Sequence, residues 1–224
     1  MRRLPRTAGT FAALAAAIVV AGCGGDSEET APSEPFEPQG TLRAVGGTTR
    51  GEKPAFVFRV DARPGDTNIR SAEVILPPVV LVDVAAIGRL CSRRELRSKR
   101  CEGRQRFGFA RAVSPAYRAP LSGPVYAVSG FGRLPHLAYV LGGPANLLLE
   151  GRVVSEGGRI GAGVDDVPDT PLEIFELRID GGKRAYLVLS RNICAGEAAA
   201  ADATFTSHEG QVVERKIPLM ADCG

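Results

Sequence analysis

Between residues 56 and 218 the chain is written as short segments of alternating apolar and polar residues, each stopped by glycine, proline or aspartate, a pattern that restricts it to a β fold. In Phe56-Val57-Phe58-Arg59-Val60 the aromatics and Val60 fall on one face, and residues 61–66, with Pro64 and Gly65, supply the following turn. Residues 69–76 read as the next strand until Pro77-Pro78, which have no amide hydrogen to give a ladder, end it. Further strands are expected at 106–113, 124–129, 136–141, 146–155, 159–164, 172–180, 184–190, 203–207 and 211–218. Three connections read as tight hairpins: Glu156-Gly157-Gly158, Asp180-Gly181-Gly182-Lys183 and Glu209-Gly210, each placing glycine where a positive φ is needed. Such spacing suits a sandwich or a barrel, and the expectation is an all-β antiparallel β-sandwich of about ten strands. One short helical segment is expected within 84–100, where Ile87, Leu90, Cys91 and Arg94 share a side at helical spacing.

Ahead of this domain, Arg2, Arg3 and Arg6 precede an apolar run over 8–21, the charge-then-apolar order of a secretory signal. The run falls short of the about 20 residues of a spanning helix. It ends in Val20-Ala21-Gly22-Cys23, which resembles the bacterial lipobox. That resemblance implies that residues 1–22 are removed, that Cys23 takes a diacylglyceryl thioether, and that its new amine is acylated again, for instance by palmitate. Two chains anchor stably where one holds only marginally. The expected location is the cell membrane, lipid-anchored on the extracytoplasmic side; the alternative is an ordinary signal cut that leaves Cys23 a free thiol. Residues 23–40 combine glycine, serine, proline and acid with the single aromatic Phe36, and read as a disordered tether. Residues 41–224 are enough for one domain and short for two.

The chain carries 28 Lys+Arg against 25 Asp+Glu, but three of those arginines lie in the leader, so the remainder is balanced. Nucleic acid is therefore not an expected partner, since that reading requires a distinctly basic domain. Setting Cys23 aside leaves Cys91, Cys101, Cys194 and Cys223, an even number in an exported chain, which favours two disulfides over metal ligation. Three pairings exist. Short sequence separation favours Cys91 with Cys101 and Cys194 with Cys223, each worth roughly 3 kcal/mol by loop entropy.

Catalytic chemistry finds little support. Hydrolysis by a nucleophile and a base has only His136 and His208 to draw on. His136 opens a strand, and His208 sits at a hairpin tip beside Ser207, where polar residues belong. Glu150, Glu173 and Glu176 lie on strands, and any β protein offers such carboxylates to a glycosidase reading. Asp165, Asp166 and Asp169 form a weak calcium candidate, hard oxygen ligands on one loop without the EF-hand order. Their simpler reading is an Asp- and Pro-rich turn. No glycine-rich loop follows a strand and opens a helix, so no cofactor is expected.

The largest electrostatic anomaly is a run of nine cations, Arg89, Arg93, Arg94, Arg97, Lys99, Arg100, Arg104, Arg106 and Arg111, against Glu95 and Glu102. Near a membrane such a cluster can attract anionic lipid headgroups or grip an anionic envelope polymer; otherwise it is a solvated loop whose charge is met by carboxylates elsewhere.

Several segments together carry a wider resemblance: Leu76-Pro77-Pro78, the loop from Cys91 to Cys101, Leu121-Ser122-Gly123-Pro124-Val125-Tyr126, Leu149-Glu150-Gly151, and Pro168-Asp169-Thr170-Pro171-Leu172 followed by Gly181-Gly182. Over residues 71–182 the chain resembles a secreted β-domain of high-GC actinobacterial exported proteins, to which no activity is attached. An excess of 24 Arg over 4 Lys agrees with a high-GC source. The functional expectation is a non-catalytic binding or structural module of the cell envelope, with anionic lipid, an envelope polymer or another envelope protein as partner. Its alternative is an extracytoplasmic hydrolase of glycans or esters.

Overall fold

A computed structural model of the chain describes residues 35–130 and 134–224. Cys23 and the leader lie outside the described residues.

Thirteen strands are found among these residues: β1 (Gln39–Val45), β2 (Ala55–Asp61), β3 (Ile69–Ile75), β4 (Val80–Val82), β5 (Arg106–Val113), β6 (Leu121–Val128), β7 (His136–Leu141), β8 (Leu147–Glu156), β9 (Arg159–Val164), β10 (Ile174–Ile179), β11 (Leu187–Leu189), β12 (Ala200–Ser207) and β13 (Val212–Met220). Eleven of them close on themselves in the order β1-β13-β12-β3-β9-β8-β7-β6-β5-β10-β2, so the domain is a barrel and not the expected sandwich. Alternation shows which face of each strand is apolar, but a sandwich core and a barrel interior need the same pattern. The closing contact is a short parallel seam, Leu42 opposite Leu219 and Arg43 opposite Met220, while every other pairing in the barrel is antiparallel.

The strand that makes closure possible, β1, begins inside the stretch expected to be a tether. Phe36 and Pro38 are buried and β1 opens at Gln39, so ordered chain starts ahead of Thr41. Two of the three expected hairpins form. Glu156-Gly157-Gly158 joins β8 to β9 and Glu209-Gly210 lies between β12 and β13, with Gly157, Gly158 and Gly210 all at positive φ. The third does not, because β10 already has β2 and β5 on its two edges. The chain leaves the barrel after Asp180, and β11, shorter than the expected strand over 184–190, pairs with β4 instead.

This two-stranded sheet lies at the rim that carries the β8–β9 hairpin, here called the upper rim. It is tied to the β1–β2 turn by Gly51 N–H donating to Leu189 O (2.8 Å) and Leu189 N–H to Glu52 O (2.9 Å). Tyr186, just ahead of β11, packs on Phe107 of β5 with ring centroids 5.4 Å apart. The lower rim carries the β12–β13 hairpin and the loops 62–68, 114–120, 142–146 and 165–173.

The expected helix is reduced to α1 (Arg93–Arg97) and a 3₁₀ turn at Val84–Ala86. Its buried face is Leu96, not the set Ile87, Leu90, Cys91 and Arg94, since Ile87 and Leu90 lie in the irregular connection ahead of it. Leu96 joins Cys91, Cys101, Tyr126, Val128 and Ala138 in a small cluster on the outer face of β6 and β7. The Cys91–Cys101 disulfide closes this loop, and Cys194–Cys223 ties the chain ahead of β12 to the residues after β13.

The barrel wall is apolar inside and charged outside. On the outer face Arg59 pairs with Asp61 (2.5 Å), Arg106 with Asp180 (2.8 Å), Arg152 with Glu73 (2.5 Å) and Lys216 with Asp202 (2.7 Å). A barrel that spans a membrane carries the opposite pattern, an apolar band facing lipid.

Candidate functional site

Eight strands enclose an interior just wide enough to be filled by side chains, and the diameter grows with strand number. With eleven, the inward side chains of this barrel do not meet everywhere. They leave a cavity of about 580 Å³, within the roughly 300–1,000 Å³ of small-molecule sites. Small inward residues widen it. Ala72 on β3, Ala112 on β5, Ala127 on β6 and Ala162 on β9 all line it, and the aliphatic wall around them includes Val74, Leu137, Leu149 and Val153. Several of these are only partly buried although they point inward, because the space they face is open.

Among the described residues the lining contains no aspartate, glutamate, lysine, arginine or histidine. Its polar side chains toward the rims are Ser155 at the upper and Ser114, Asn146 and Thr170 at the lower, and the Tyr186 hydroxyl donates to Gln105 O (3.4 Å). Midway along β7 stands Tyr139. Its ring leans over Gly151 of β8, where a Cβ would come within 3.1 Å of Cε2, and faces Phe175 of β10 with centroids 6.1 Å apart. Since β10 is three strands from β7 around the ring, that contact crosses the interior as a chord. Tyr139 is 4% exposed, and its hydroxyl has no hydrogen-bond partner among the described residues. Burial in apolar surroundings pushes its ionisation well above the usual phenol range, so it stays a neutral donor.

Apolar residues at the cavity's ends reach solvent. Val84 (76% exposed) and Leu134 (39%) do so at the upper rim, Tyr117 (36%) at the lower. Val84, Ile87 and Leu90 line the cavity, and the chain then runs directly into Cys91 and the cationic loop.

The nine cations do not form one patch. Arg104 and Arg89 pair with Glu95, Arg93 with Glu150 (3.7 Å) and Arg106 with Asp180. Arg111 sits on the outer face of β5 opposite Glu176 of β10. Arg94, Arg97, Lys99 and Arg100, on α1 and just after it, have no carboxylate partner among the described residues. Glu95 is a structural hub. Its Oε2 accepts from Ser92 N–H (2.9 Å) while Ser92 Oγ accepts from Glu95 N–H (3.2 Å), a capping box that starts α1. The Arg104 guanidinium beside it, with the Ser92 amide and hydroxyl, holds its carboxyl down at about 2.

The remaining expected sites are not brought together. Asp165 is paired with Arg152, which lies across Gly163, and Asp169 accepts from Asn68 Nδ2 (2.7 Å), so two of the three calcium candidates are engaged by protein. Among the described residues no group of three or more His, Cys, Asp or Glu is placed to hold a metal ion. His208 Nε2 is bonded to Val167 O (3.0 Å), and Ser207 Oγ, fully buried, accepts from Gln211 N–H (3.0 Å); both brace the β12–β13 hairpin. His136 sits at the opposite end of the barrel, against Gly130. Glu173 and Glu176 are not among the cavity's lining residues, and neither is Glu150. Sequence reasoning missed Tyr139 and the cavity itself. The available signal was alanine at inward positions of strands that were otherwise correctly read.

No protein-family model and no curated protein matches the chain. Among solved structures, a DUF4466 family protein from Parabacteroides merdae is similar at 12% identity with a TM-score of 0.35, over 83% of this chain and 44% of that one. The chain thus spans less than half the length of that protein.

Proposed function

We propose that this chain is a non-catalytic binding module of the cell envelope, held to the extracytoplasmic side of the membrane by lipid on Cys23, whose barrel interior receives an apolar ligand. The observation that carries the reading is the 580 Å³ cavity, in whose wall no charged side chain stands among the described residues. Apolar surface exposed to water in a cavity is a standing cost, and an apolar ligand relieves it at roughly 0.8 kcal/mol per buried CH₂. A hydrolase reading gains nothing here, since the described residues of the cavity wall include no carboxylate or histidine to act as a base and the two histidines lie apart. The cations of α1 and the residues just after it that have no carboxylate partner among the described residues, Arg94, Arg97, Lys99 and Arg100, support a role in holding the upper rim near anionic lipid or an anionic polymer, at about 1 kcal/mol per cation close to a charged surface.

The domain from residue 35 onward should take up a neutral lipophilic naphthylamine dye, with blue-shifted and enhanced emission, and long-chain lipids should displace it. Absence of any emission change would remove the cavity as a ligand site. The anchor has its own test. In the full chain Cys23→Ser should move the protein from the membrane fraction to the soluble fraction, and retention in the pellet would sink the lipid anchor.

A further inference from the structure

Resting on that reading, we infer that the ligand is an uncharged long-chain lipid carrying one hydrogen-bond acceptor, an ester carbonyl or ether oxygen, at the depth of Tyr139. The cavity wall has the chemistry of hydrocarbon over most of its length, with the polar side chains Ser155, Ser114, Asn146 and Thr170 toward its rims. Between those rims Tyr139, itself a buried residue, lines the cavity, and its hydroxyl has no protein hydrogen-bond partner among the described residues. A ligand that fills the cavity takes this hydroxyl out of water, and leaving its hydrogen bond unmade costs about 1–3 kcal/mol, which a ligand with an acceptor at that depth avoids.

Position and charge narrow the class further. Gly151 leaves room for the Tyr139 ring, which packs toward Phe175 across the interior, and this contact sets the depth at which its hydroxyl is presented. A carboxylate or phosphate at that depth would meet no cation among the described residues, since none of those lining the cavity is lysine, arginine or histidine. Desolvating an unpaired anion costs far more than one hydrogen bond returns. An alkane fits the wall but leaves the phenol unmade. A neutral ester or ether satisfies both conditions.

The test is displacement of the naphthylamine dye by three competitors of equal chain length, a methyl ester, the alkane and the free acid, in the wild-type domain and in Tyr139→Phe. The wild type should bind the ester about fivefold more tightly than the alkane, the worth of one hydrogen bond. In Tyr139→Phe, which keeps the ring on Phe175, the ester's advantage over the alkane should be lost. The free acid should compete more weakly than the ester at pH 8 and approach it as the pH is lowered and the acid becomes neutral. An ester preference that survives Tyr139→Phe would overturn the assignment of the phenol, and an acid that outcompetes the ester at pH 8 would overturn the uncharged class. Failure of the dye and every competitor to bind the wild type would instead remove the cavity reading beneath both.

Discussion

Ala162→Trp should abolish uptake of apolar molecules by the barrel while leaving it folded. Ala162 points inward from β9, between Val153 of β8 and Val74 of β3, and all three line the cavity. An indole at this position projects into open space. Adding volume to a packed core forces strained rotamers and typically costs 1–3 kcal/mol, but here the neighbours are only partly buried and the side chain has room to occupy. The variant is therefore expected to keep or slightly raise the melting temperature while losing at least tenfold in affinity, about 1.4 kcal/mol. Ligand linkage gives an independent readout. A ligand at 100 times its dissociation constant stabilises the wild type by about 2.7 kcal/mol and the filled variant by almost nothing. Leu148→Ala, on the exposed outer face of the same wall, serves as the control and should bind as the wild type does. Undiminished dye binding by a folded Ala162→Trp would place the ligand elsewhere and empty the cavity of its role.

Much of the wall was legible in the sequence. The strands at Arg106–Val113, His136–Leu141 and Arg159–Val164 fall where alternation put them, and two glycine-marked hairpins turn as expected. Local signals suffice there because a hairpin's partner is its neighbour in sequence. Closure is not local. It depends on Leu42 of β1 meeting Leu219 of β13 across nearly the whole domain, and β1 itself, with Gly40 and Thr41 among its first residues, carries a weak strand signal. A Cβ at Gly40 would come within 2.3 Å of Ile217 Cδ1, so glycine leaves that side chain its place against the seam. The cavity was hidden for a related reason. An inward alanine reads as core in any β protein, and whether opposite walls touch depends also on the number of strands in the ring, which is not local. The cationic run was legible as composition but not as a surface, because Glu95, Glu150 and Asp180 reach it from α1, β8 and the end of β10.

The seam that makes the barrel also makes its weakest joint, and removing the Cys194–Cys223 disulfide should expose it. β1 and β13 are registered at only two positions, both at the end of β13, whereas β13 is paired with β12 over seven. Past the end of the strand, Cys223, three residues beyond Met220, is bonded to Cys194 in the connection ahead of β12 and ties β13 down. Leu219 N–H donating to Ala199 O (2.7 Å) draws the same two stretches together beside the seam. The bond closes a loop with a sequence separation of 29, against 10 for Cys91–Cys101. Loop entropy then assigns it about 3.6 kcal/mol and the shorter loop about 2.8 kcal/mol. Both losses are large beside the 5–15 kcal/mol of a typical domain, but their structural consequences differ. The Cys91–Cys101 loop packs outside an intact stretch of wall at β6 and β7, so Cys91→Ser/Cys101→Ser should lower stability with the barrel still closed and still able to bind dye. Cys194→Ser/Cys223→Ser should lower it by more, roughly 7–14 °C in melting temperature for a domain of this size. Hydrogen exchange should then quicken first at Leu42, Arg43 and Leu219, before any global change. Equal protection of the seam in both double variants would show that β13 is held by its pairing with β12 alone and that the disulfide contributes nothing to closure.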